Sequence, residues 1–423
     1  MQLVKSKKDN YLIGNPKITF FKVVYHRHTN FAMESVEIPL NSTPTFNEYK
    51  DTTIISKAGD LLHTMHYDVL FEPTTVGSVS SYSNWTNGTG YAYIKDVSIE
   101  IGNQEIDKHY SEWFDIWNEL TDVNMNAYKL VNKHDDDYLK DNSSATPPKL
   151  QMYIPLQFWF CKYPGLSLPL IALHNIDVKI KTTFRKLDFL LNCDGTANTA
   201  QAANPNVKLY GDYIFLDTEE RRRFTQTPHE YLIEQIQYLQ PTLLSSSHEL
   251  NFNHHVKEVI WVCRDKRLGE KDPTDGANVI DTTLNTPGGT FGKGNDYFNY
   301  SIAATNSNTE YIYGITGYEH FGTATISIEG SNRFTPRKAS YFRHIQQYNY
   351  HSNISSKGIY VYSFALKPEE FQPTGFINFS KVNNVKLEFT NPITSSNMEI
   401  LIFASNYNVL RIAEGMGGLA YTT

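Results

Sequence analysis

The sequence predicts an all-β protein made of two similar sandwich domains, and three observations support this. Apolar and polar residues alternate with period 2 in both halves of the 423-residue chain. Aromatic residues make up 13% of the chain, with 28 Tyr and 24 Phe, and flat rings pack well on pleated strands. A dense charged run at residues 215–224 divides the chain into halves of nearly equal length.

Four stretches carry the alternation most clearly: Val97–Ile101, Ile176–Ile180, Ala324–Ile328 and Val385–Phe389. Each places apolar side chains on one face of a strand and polar side chains on the other. Two further stretches, Ile359–Leu366 and Ile400–Ala404, are largely apolar on both faces, which predicts interior strands.

Short matches connect the two halves. Val97-Ser-Ile-Glu100 resembles Ile326-Ser-Ile-Glu329, and Asp177-Val-Lys-Ile180 resembles Asn384-Val-Lys-Leu387, in the same order. Four-residue matches between strands of this composition often arise by chance. They therefore favour a tandem duplication only modestly.

One segment departs from the β pattern. Trp113, Ile116, Trp117 and Leu120 are spaced i, i+3, i+4 and i+7, which predicts an amphipathic helix. Tandem β domains with few helices favour jelly rolls or immunoglobulin-like sandwiches. The sequence also predicts four long loops: Gly77–Gly90, Val131–Lys149, Asn192–Asn206 and Leu268–Asn308. Loops of this length are usually functional or partly disordered.

Charge and cysteine content exclude several classes of protein. A net charge of −7 argues against a protein that coats nucleic acid, because neutralising phosphates requires a basic surface. The three cysteines, Cys161, Cys193 and Cys263, do not suggest a disulfide framework. The chain opens with no secretory signal and contains no apolar window of about 18 residues. We therefore expect a soluble protein made in the cytosol.

No motif supports catalysis or metal binding. Gly288–Lys293 has three residues between its outer glycines where a phosphate-binding loop has four, and Gly415–Gly418 is typical of a flexible tail. No Cys or carboxylate completes a ligand spacing around the pairs His26/His28, His63/His66 and His254/His255. His134–Asp137 is typical of a solvated acidic turn, with weak calcium binding as the alternative. The sequence predicts no enzyme activity, no metal and no cofactor.

The charged run allows two interpretations. In a helix, Glu219 and Glu220 would pair with Arg222 and Arg223 at i, i+3 and i+4 spacing, which argues against a nucleic-acid patch. The run is then either a solvated linker or a polar clasp between domains or subunits. The clasp would consist of Glu219, Glu220, Arg221, Arg222 and Arg223.

Seven Asn-x-Ser/Thr sequences occur, at Asn41, Asn84, Asn87, Asn142, Asn299, Asn353 and Asn378. Several would arise by chance in a chain with this much Asn, Ser and Thr. Without a secretory signal they would not meet the luminal glycosylation machinery. The candidate acceptors are Asn84, Asn87, Asn142, Asn299 and Asn353.

Several long stretches resemble the major capsid proteins of nucleocytoplasmic large DNA viruses. They are Leu12–Tyr25 with Arg27–Ala32, Phe215–Phe224 with His229–Gln235, Gly358–Glu370, Asn378–Ser380, and Tyr407–Ile412 with Gly415–Tyr421. Together they span nearly the whole chain. One departure is local: Phe376-Ile377 replaces the small residue and Cys that are more usual there.

The resemblance implies a double jelly roll, two tandem eight-stranded sandwiches with a few short helices in loops. It implies an inward-facing arm at 1–28, jelly rolls at 29–218 and 230–412, a charged linker at 219–229 and a tail at 413–423. Three copies would form a trimeric, pseudo-hexagonal capsomer that tiles the icosahedral shell of the virion. Its partners would be further copies, minor capsid and penton proteins and internal membrane-associated proteins, without direct contact to nucleic acid. Assembly would occur in the host cytoplasm.

A second class of function fits part of the pattern. Aromatic-rich loops on tandem β-sandwiches also suit a carbohydrate-binding or carbohydrate-active protein. A secreted protein of this kind would carry a signal peptide, and a hydrolase would carry a pair of catalytic carboxylates. The sequence identifies neither.

Overall fold

The computed structural model describes residues 13–23, 25–47, 49–72, 83–123, 126–133, 147–193, 203–266, 297–300, 319–394 and 398–421. In chain order the strands of the first half are β1 (Phe31–Ile38), β2 (Tyr49–Ile54), β3 (Leu61–Phe71), β4 (Ser83–Trp85), β5 (Ile94–Ile101), β6 (Gln104–Tyr110), β7 (Leu150–Pro155), β8 (Val178–Phe184), β9 (Leu191–Cys193) and β10 (Asn206–Leu216). Those of the second half are β11 (His229–Leu243), β12 (Ser247–Glu249), β13 (His255–Asp265), β14 (Thr323–Ile328), β15 (Ser331–Asn332), β16 (Arg337–Lys338), β17 (Ile359–Ser363), β18 (Ile377–Asn378), β19 (Val385–Thr390), β20 (Met398–Ala413) and β21 (Met416–Leu419).

The helices are short and lie in the connections between strands. Among the described residues, the α-helices are α1 (Thr89–Tyr93), α2 (Ser111–Thr121), α3 (Asn126–Leu130), α4 (Trp159–Lys162), α5 (Thr218–Gln226) and α6 (Gln346–Tyr350). The helix predicted around Trp113 is confirmed as α2.

The two halves have the same sheet topology. In the first half the sheets run β1-β10-β3-β7 and β2-β8-β5-β6, and in the second half β11-β20-β13-β17 and β12-β19-β14-β15. These two sheets contain eight strands in each half. When those eight strands are renumbered 1 to 8 in chain order, the sheets of both halves run 1-8-3-6 and 2-7-4-5. This order is that of a jelly roll, so the all-β double jelly roll is confirmed.

The sequence matches between the halves fall on equivalent strands. Val97-Ser-Ile-Glu100 lies in β5 and Ile326-Ser-Ile-Glu329 begins in β14, and both strands are the fourth of their jelly roll. Val178–Ile180 opens β8 and Val385–Leu387 opens β19, which are both the seventh. The two short motifs therefore occupy equivalent positions in the fold.

Aromatic rings fill the space between the sheets. In the first jelly roll the Phe184 ring lies 5.6 Å from Tyr67 and 4.7 Å from Tyr93. In the second, Trp261 stacks on Tyr360 at 5.9 Å between ring centroids. The excess of Tyr and Phe thus serves the two cores, where ring pairs add to simple area burial.

Two local predictions differ from the structure. The interior strand expected at 359–366 ends at Ser363, whose hydroxyl donates to the Ala365 carbonyl in a turn. The flexible tail predicted at Gly415–Gly418 is wrong. Glu414 and Gly415 have φ of 53° and 80°, which is typical of a two-residue hairpin turn, and β21 returns along β20.

Candidate functional site at the interface between the jelly rolls

Helix α2 lies where the two jelly rolls meet. Its Trp113 ring stacks on Trp117 at 5.5 Å and lies 5.7 Å from Phe403 of β20. Asn353 of the second half donates through its backbone N–H to the Leu120 carbonyl at the end of the helix, at 2.9 Å. One continuous apolar cluster runs from the first jelly roll through α2 to Ile260, Leu401 and Leu410 of the second. We call this cluster the shared core; the second jelly roll also has a separate apolar cluster between its own sheets, which includes Trp261 and Tyr360.

The polar face of α2 carries three carboxylates, Glu112, Asp115 and Glu119, and all three are buried. Lys133 of the first half reaches Asp115 and Glu119, each at 2.5 Å. Lys357 of the second half lies 3.1 Å from Asp115 and 3.5 Å from Glu119. Burial alone would raise the pKa of Glu119, but the Lys133 and Lys357 ammonium groups hold it well below its usual range.

A second ion cluster surrounds Glu112. Arg264 of β13 donates to Glu112 at 2.9 Å and to Glu399 of β20 at 2.8 Å. Arg185 of the first half lies over the Tyr297 ring at 4.4 Å. Burial opposes ionisation of Glu112, yet Arg264 and Arg185 lower the pKa of its carboxyl.

A third cluster begins at Glu234 of β11. Lys162 of the first half pairs with it at 2.7 Å, and Lys257 of β13 at 2.5 Å. The Lys162 ammonium also lies 4.6 Å from the centre of the Trp117 ring. Against the effect of burial, the two lysines lower the pKa of Glu234 to about 2.

His351 extends this third cluster. Its Nε2 lies 3.1 Å from Glu258, and its Nδ1 lies 2.9 Å from Glu369. Burial would lower the pKa of His351, but the two carboxylates raise it to about 9. The imidazole is therefore a buried cation at neutral pH.

Each of these clusters contains cations and carboxylates in close contact, so opposite charges neutralise one another inside the interface. Removing one partner of such a pair leaves an uncompensated buried charge, which is strongly destabilising. Among the residues that the structure describes, no group of three or more His, Cys, Asp or Glu could hold a metal ion. Because each ion cluster has members from both jelly rolls, the interface joins the two halves and fixes their relative orientation.

The strand pairing gives the molecule two distinct ends. Phe31 of β1 pairs with Leu216 of β10, and His229 of β11 pairs with Ile412 of β20. Both jelly rolls therefore begin and finish at one end, which we call the arm end, and α5 connects them there. At the opposite end, the loop end, strands β3, β6, β8 and β13 finish. The four long segments predicted from sequence come after these strands along the chain, and each of them lies partly outside the described residues.

Two matches to known families divide the chain in the same way as the two sheet systems. Residues 19–217 match the family described as major capsid protein N-terminus. Residues 220–418 match the family described as large eukaryotic DNA virus major capsid protein. The chain belongs to the major capsid proteins of large DNA viruses.

Individual members of the family are similar over their full length. The major capsid protein of Pyramimonas orientalis virus is 40% identical, and the alignment covers 100% of this chain and 98% of that protein. The major capsid protein of Paramecium bursaria Chlorella virus 1 is 36% identical, with 98% and 97% covered. The solved PBCV-1 capsid chain superposes with a TM-score of 0.74 at 32% identity, covering 96% of this chain and all (100%) of that one.

Membership makes this chain a structural component of a viral capsid shell, and a shell built from a major capsid protein implies self-association. Among the described helices, none is long and apolar enough to cross a membrane. The interface between the jelly rolls is accordingly a structural site of a capsid protein.

Within this chain, one residue of the predicted charged clasp, Arg221, pairs with the first jelly roll, whereas three others are exposed. Asp217 caps helix α5 by accepting from the Glu220 backbone N–H at 2.9 Å. Arg221 pairs with Asp60 of the first jelly roll at 3.0 Å. Glu219, Arg222 and Arg223 are exposed on the helix surface. A role as a clasp between subunits stays a prediction.

The candidate glycosylation acceptors lie in different environments. Asn84 is 1% exposed in β4, and its side-chain oxygen accepts from the Trp85 backbone N–H, so the folded chain offers little access to it. Asn87, Asn299 and Asn353 are half-buried. Asn142, the Gly288–Lys293 segment and His134–Asp137 lie outside the described residues. Glycosylation of any acceptor stays a prediction.

Sequence reasoning missed the ion clusters of the interface. Glu112, Asp115 and Glu119 are spaced i, i+3 and i+7, so a carboxylate row on one face of α2 could have been noticed. Their cations, Lys133, Lys357 and Arg264, stand in unrelated segments as far as 242 residues away, and no local pattern marks them.

An exposed apolar segment precedes β1 at the arm end. Phe20 and Phe21 are 90% and 98% exposed, and Ile18, Val23 and Tyr25 are also largely exposed. Contiguous apolar side chains on a soluble protein usually mark a contact with another molecule. We call residues 18–23 together with Tyr25 the arm segment.

Proposed function

We propose that the chain assembles as a homotrimer whose six jelly rolls form a pseudo-hexagonal capsomer, and that these capsomers tile an icosahedral shell. The observation that carries the proposal is the identical strand order of the two halves, joined through one shared core. Each chain would supply two similar jelly rolls in a fixed relative orientation, and each jelly roll would form one corner of the capsomer. Three chains then supply six corners of a near-hexagonal unit.

The domain division that goes with this proposal is an arm at 1–28, jelly rolls at 29–218 and 230–412, a linker at 219–229 and a tail at 413–423, which returns along β20 as strand β21. The arm would face the inside of the shell and the loop end the outside. This orientation places the exposed apolar arm segment away from solvent in the finished particle.

The partners follow from the same orientation. The arm end would meet minor capsid proteins and internal membrane-associated proteins, while the sides of the capsomer would meet other capsomers and penton proteins. Direct binding of nucleic acid is not part of the proposal, because the chain carries a net charge of −7. Assembly would take place in the host cytoplasm. No catalytic role is proposed.

The mass of the purified protein in solution tests the proposal. We expect a single species with three times the 48.5 kDa mass of one chain, and six-cornered outlines in negative-stain images. A trimer should persist on dilution, because obligate interfaces of this kind bury more than about 2,000 Å². A folded monomer that does not associate at high concentration would contradict the proposal.

A further inference from the structure

We propose that the arm segment of one copy docks in a cleft on the second jelly roll of a neighbouring copy. This inference deepens the proposed function, because it names the contact between subunits and rests on their assembly. Two features at the arm end carry it: a set of exposed apolar side chains, and a cleft whose walls are largely apolar.

The cleft lies beside the end of β20 and has a volume of 680 Å³. Its apolar wall comes from Leu232, Phe376, Tyr407, Val409 and Tyr421. Phe376 and Tyr421 are 52% and 59% exposed, so their rings are accessible from outside. A cleft of this size holds a few side chains of an extended segment, whereas a folded domain would not fit.

Polar groups at the rim suit an extended backbone. Asn253, His254, Asn378 and Ser380 also line the cleft. Amide, hydroxyl and imidazole groups can pair with the N–H and C=O groups of a peptide that lies without regular structure. The lining combines apolar walls with neutral hydrogen-bonding groups, which is the chemistry that an aromatic-rich peptide requires.

The register places the cleft close to the exit of the arm. Leu232 is three residues from His229, where β11 begins at the arm end, so it lies about 10 Å along the strand. The arm segment joins β1 at Phe31, opposite Leu216 at the same end. The ten residues from Phe21 to Phe31 span at most about 33–36 Å when extended. Docking therefore requires the cleft of the neighbouring copy to lie within this distance of Phe31.

The occupant is a second copy because the arm segment does not pack on its own chain. Phe20, Phe21 and Tyr25 are each at least 88% exposed, so their rings make almost no contact within the molecule. A shell of identical chains presents one arm segment for each cleft. Exchange of arms between copies therefore satisfies every cleft without another protein.

Photo-crosslinking on the full-length protein tests the inference. Benzoylphenylalanine is placed at position 21, the assembled protein is irradiated, and products are separated on a denaturing gel. We expect a product of two chains, with the crosslink mapped by mass spectrometry to residues 253–255, 373–380 or 407–421. The same photoprobe at Tyr348, which is 72% exposed on α6, should give no product at these residues.

A matched pair of substitutions adds specificity. Phe376→Asp in the cleft should lower the yield of the two-chain product about tenfold, because an apolar segment would then desolvate a carboxylate. Ile345→Asp changes a side chain that is 48% exposed outside the cleft and should leave the yield unchanged. Equal yields from both variants would overturn the inference.

The outcome separates this inference from the proposed function. A stable trimer with crosslinks confined to one chain, or mapped to another surface, overturns the docking of the arm and leaves trimer assembly intact. A protein that remains monomeric and gives no two-chain product contradicts both.

Discussion

Among single residues, Lys133 has one of the most constrained positions. Its side chain is 3% exposed, and its ammonium group lies between Asp115 and Glu119, each at 2.5 Å. The Tyr128 ring lies 4.5 Å from the same ammonium. Lys357, which belongs to the second half of the chain, neutralises the remaining negative charge. A change at Lys133 thus affects the charge balance of the entire contact between the jelly rolls.

We expect Lys133→Met to destabilise the protein by about 3–5 kcal/mol, because two buried carboxylates would share a single cation. Urea unfolding at one fixed protein concentration measures the change. The control is Lys149→Met, whose exposed pair with Glu72 at 2.8 Å should contribute under about 1 kcal/mol. If the two variants unfold at the same urea concentration, the buried cluster does not stabilise the interface.

The pKa of His351 gives stability a definite dependence on pH. The folded chain raises it from 6.5 to about 9, so the contribution of His351 is complete below pH 6.5 and is lost as the pH rises through 9. Glu234 acts in the opposite direction. Its pKa falls from 4.5 to about 2, so its contribution is present above pH 4.5 and is lost as the pH falls. The interface is therefore held most strongly between about pH 4.5 and 6.5.

We expect the melting temperature of the protein to fall between pH 6.5 and 9, and His351→Gln to flatten this part of the profile. The groups that set the effect are Glu258 and Glu369, which contact the imidazole on its two nitrogens. His26→Gln, at an exposed position of the arm, should keep the slope of the unchanged protein. An identical slope in His351→Gln would assign the pH dependence to other groups.

At the scale of elements, α2 shows what sequence can and cannot predict. Its apolar spacing at Trp113, Ile116, Trp117 and Leu120 predicts a helix correctly, because that spacing is a local property. The same pattern suggests a solvated opposite face. That face is buried, because Lys357 and Arg264 approach it from distant parts of the chain. Hydrophobic periodicity shows which side chains of a helix share a face, but it contains no information about partners that come from distant segments.

Among the strands, too, some can be located from the sequence and others cannot. Alternation locates β5, β14 and β19 because each has one face on a core and one on a more polar environment. It does not locate β21, since Met416–Leu419 contains two glycines and no alternation. The informative signal there is the Glu414-Gly415 pair, whose positive φ values form the hairpin turn.

Strand β21 yields a prediction at this scale. A Cβ at Gly415 would lie 2.7 Å from the His174 ring and 2.6 Å from the Asn175 side-chain nitrogen, in addition to the strain of its positive φ. We expect Gly415→Ala to loosen β21 and speed hydrogen–deuterium exchange at residues 416–421. Gly330→Ala is the matched control, because its φ of 79° is nearly the same and its Cβ would meet open space. Unchanged exchange in Gly415→Ala would show that the hairpin adapts to the contact.

At the scale of the whole molecule, the shared core makes one mechanical unit of two domains. Interfaces between domains of one chain are usually polar and permit relative motion. Here the apolar cluster passes without a break from the first jelly roll to β20, and three ion clusters surround it. The proposed capsomer would require such rigidity, because free rotation of one jelly roll against the other would disturb the regular arrangement of its six jelly rolls.

This coupling predicts a single calorimetric unfolding transition for the two halves. Trp113→Ala removes the ring that lies against both Trp117 and Phe403, so it should cost about 3–5 kcal/mol and split the transition into two. Trp85→Ala is the matched control. Trp85 is equally buried but packs against Phe71 inside the first jelly roll, so its loss should lower the transition temperature without uncoupling the halves. Two separate transitions in the unchanged protein would mean that the shared core does not couple the jelly rolls.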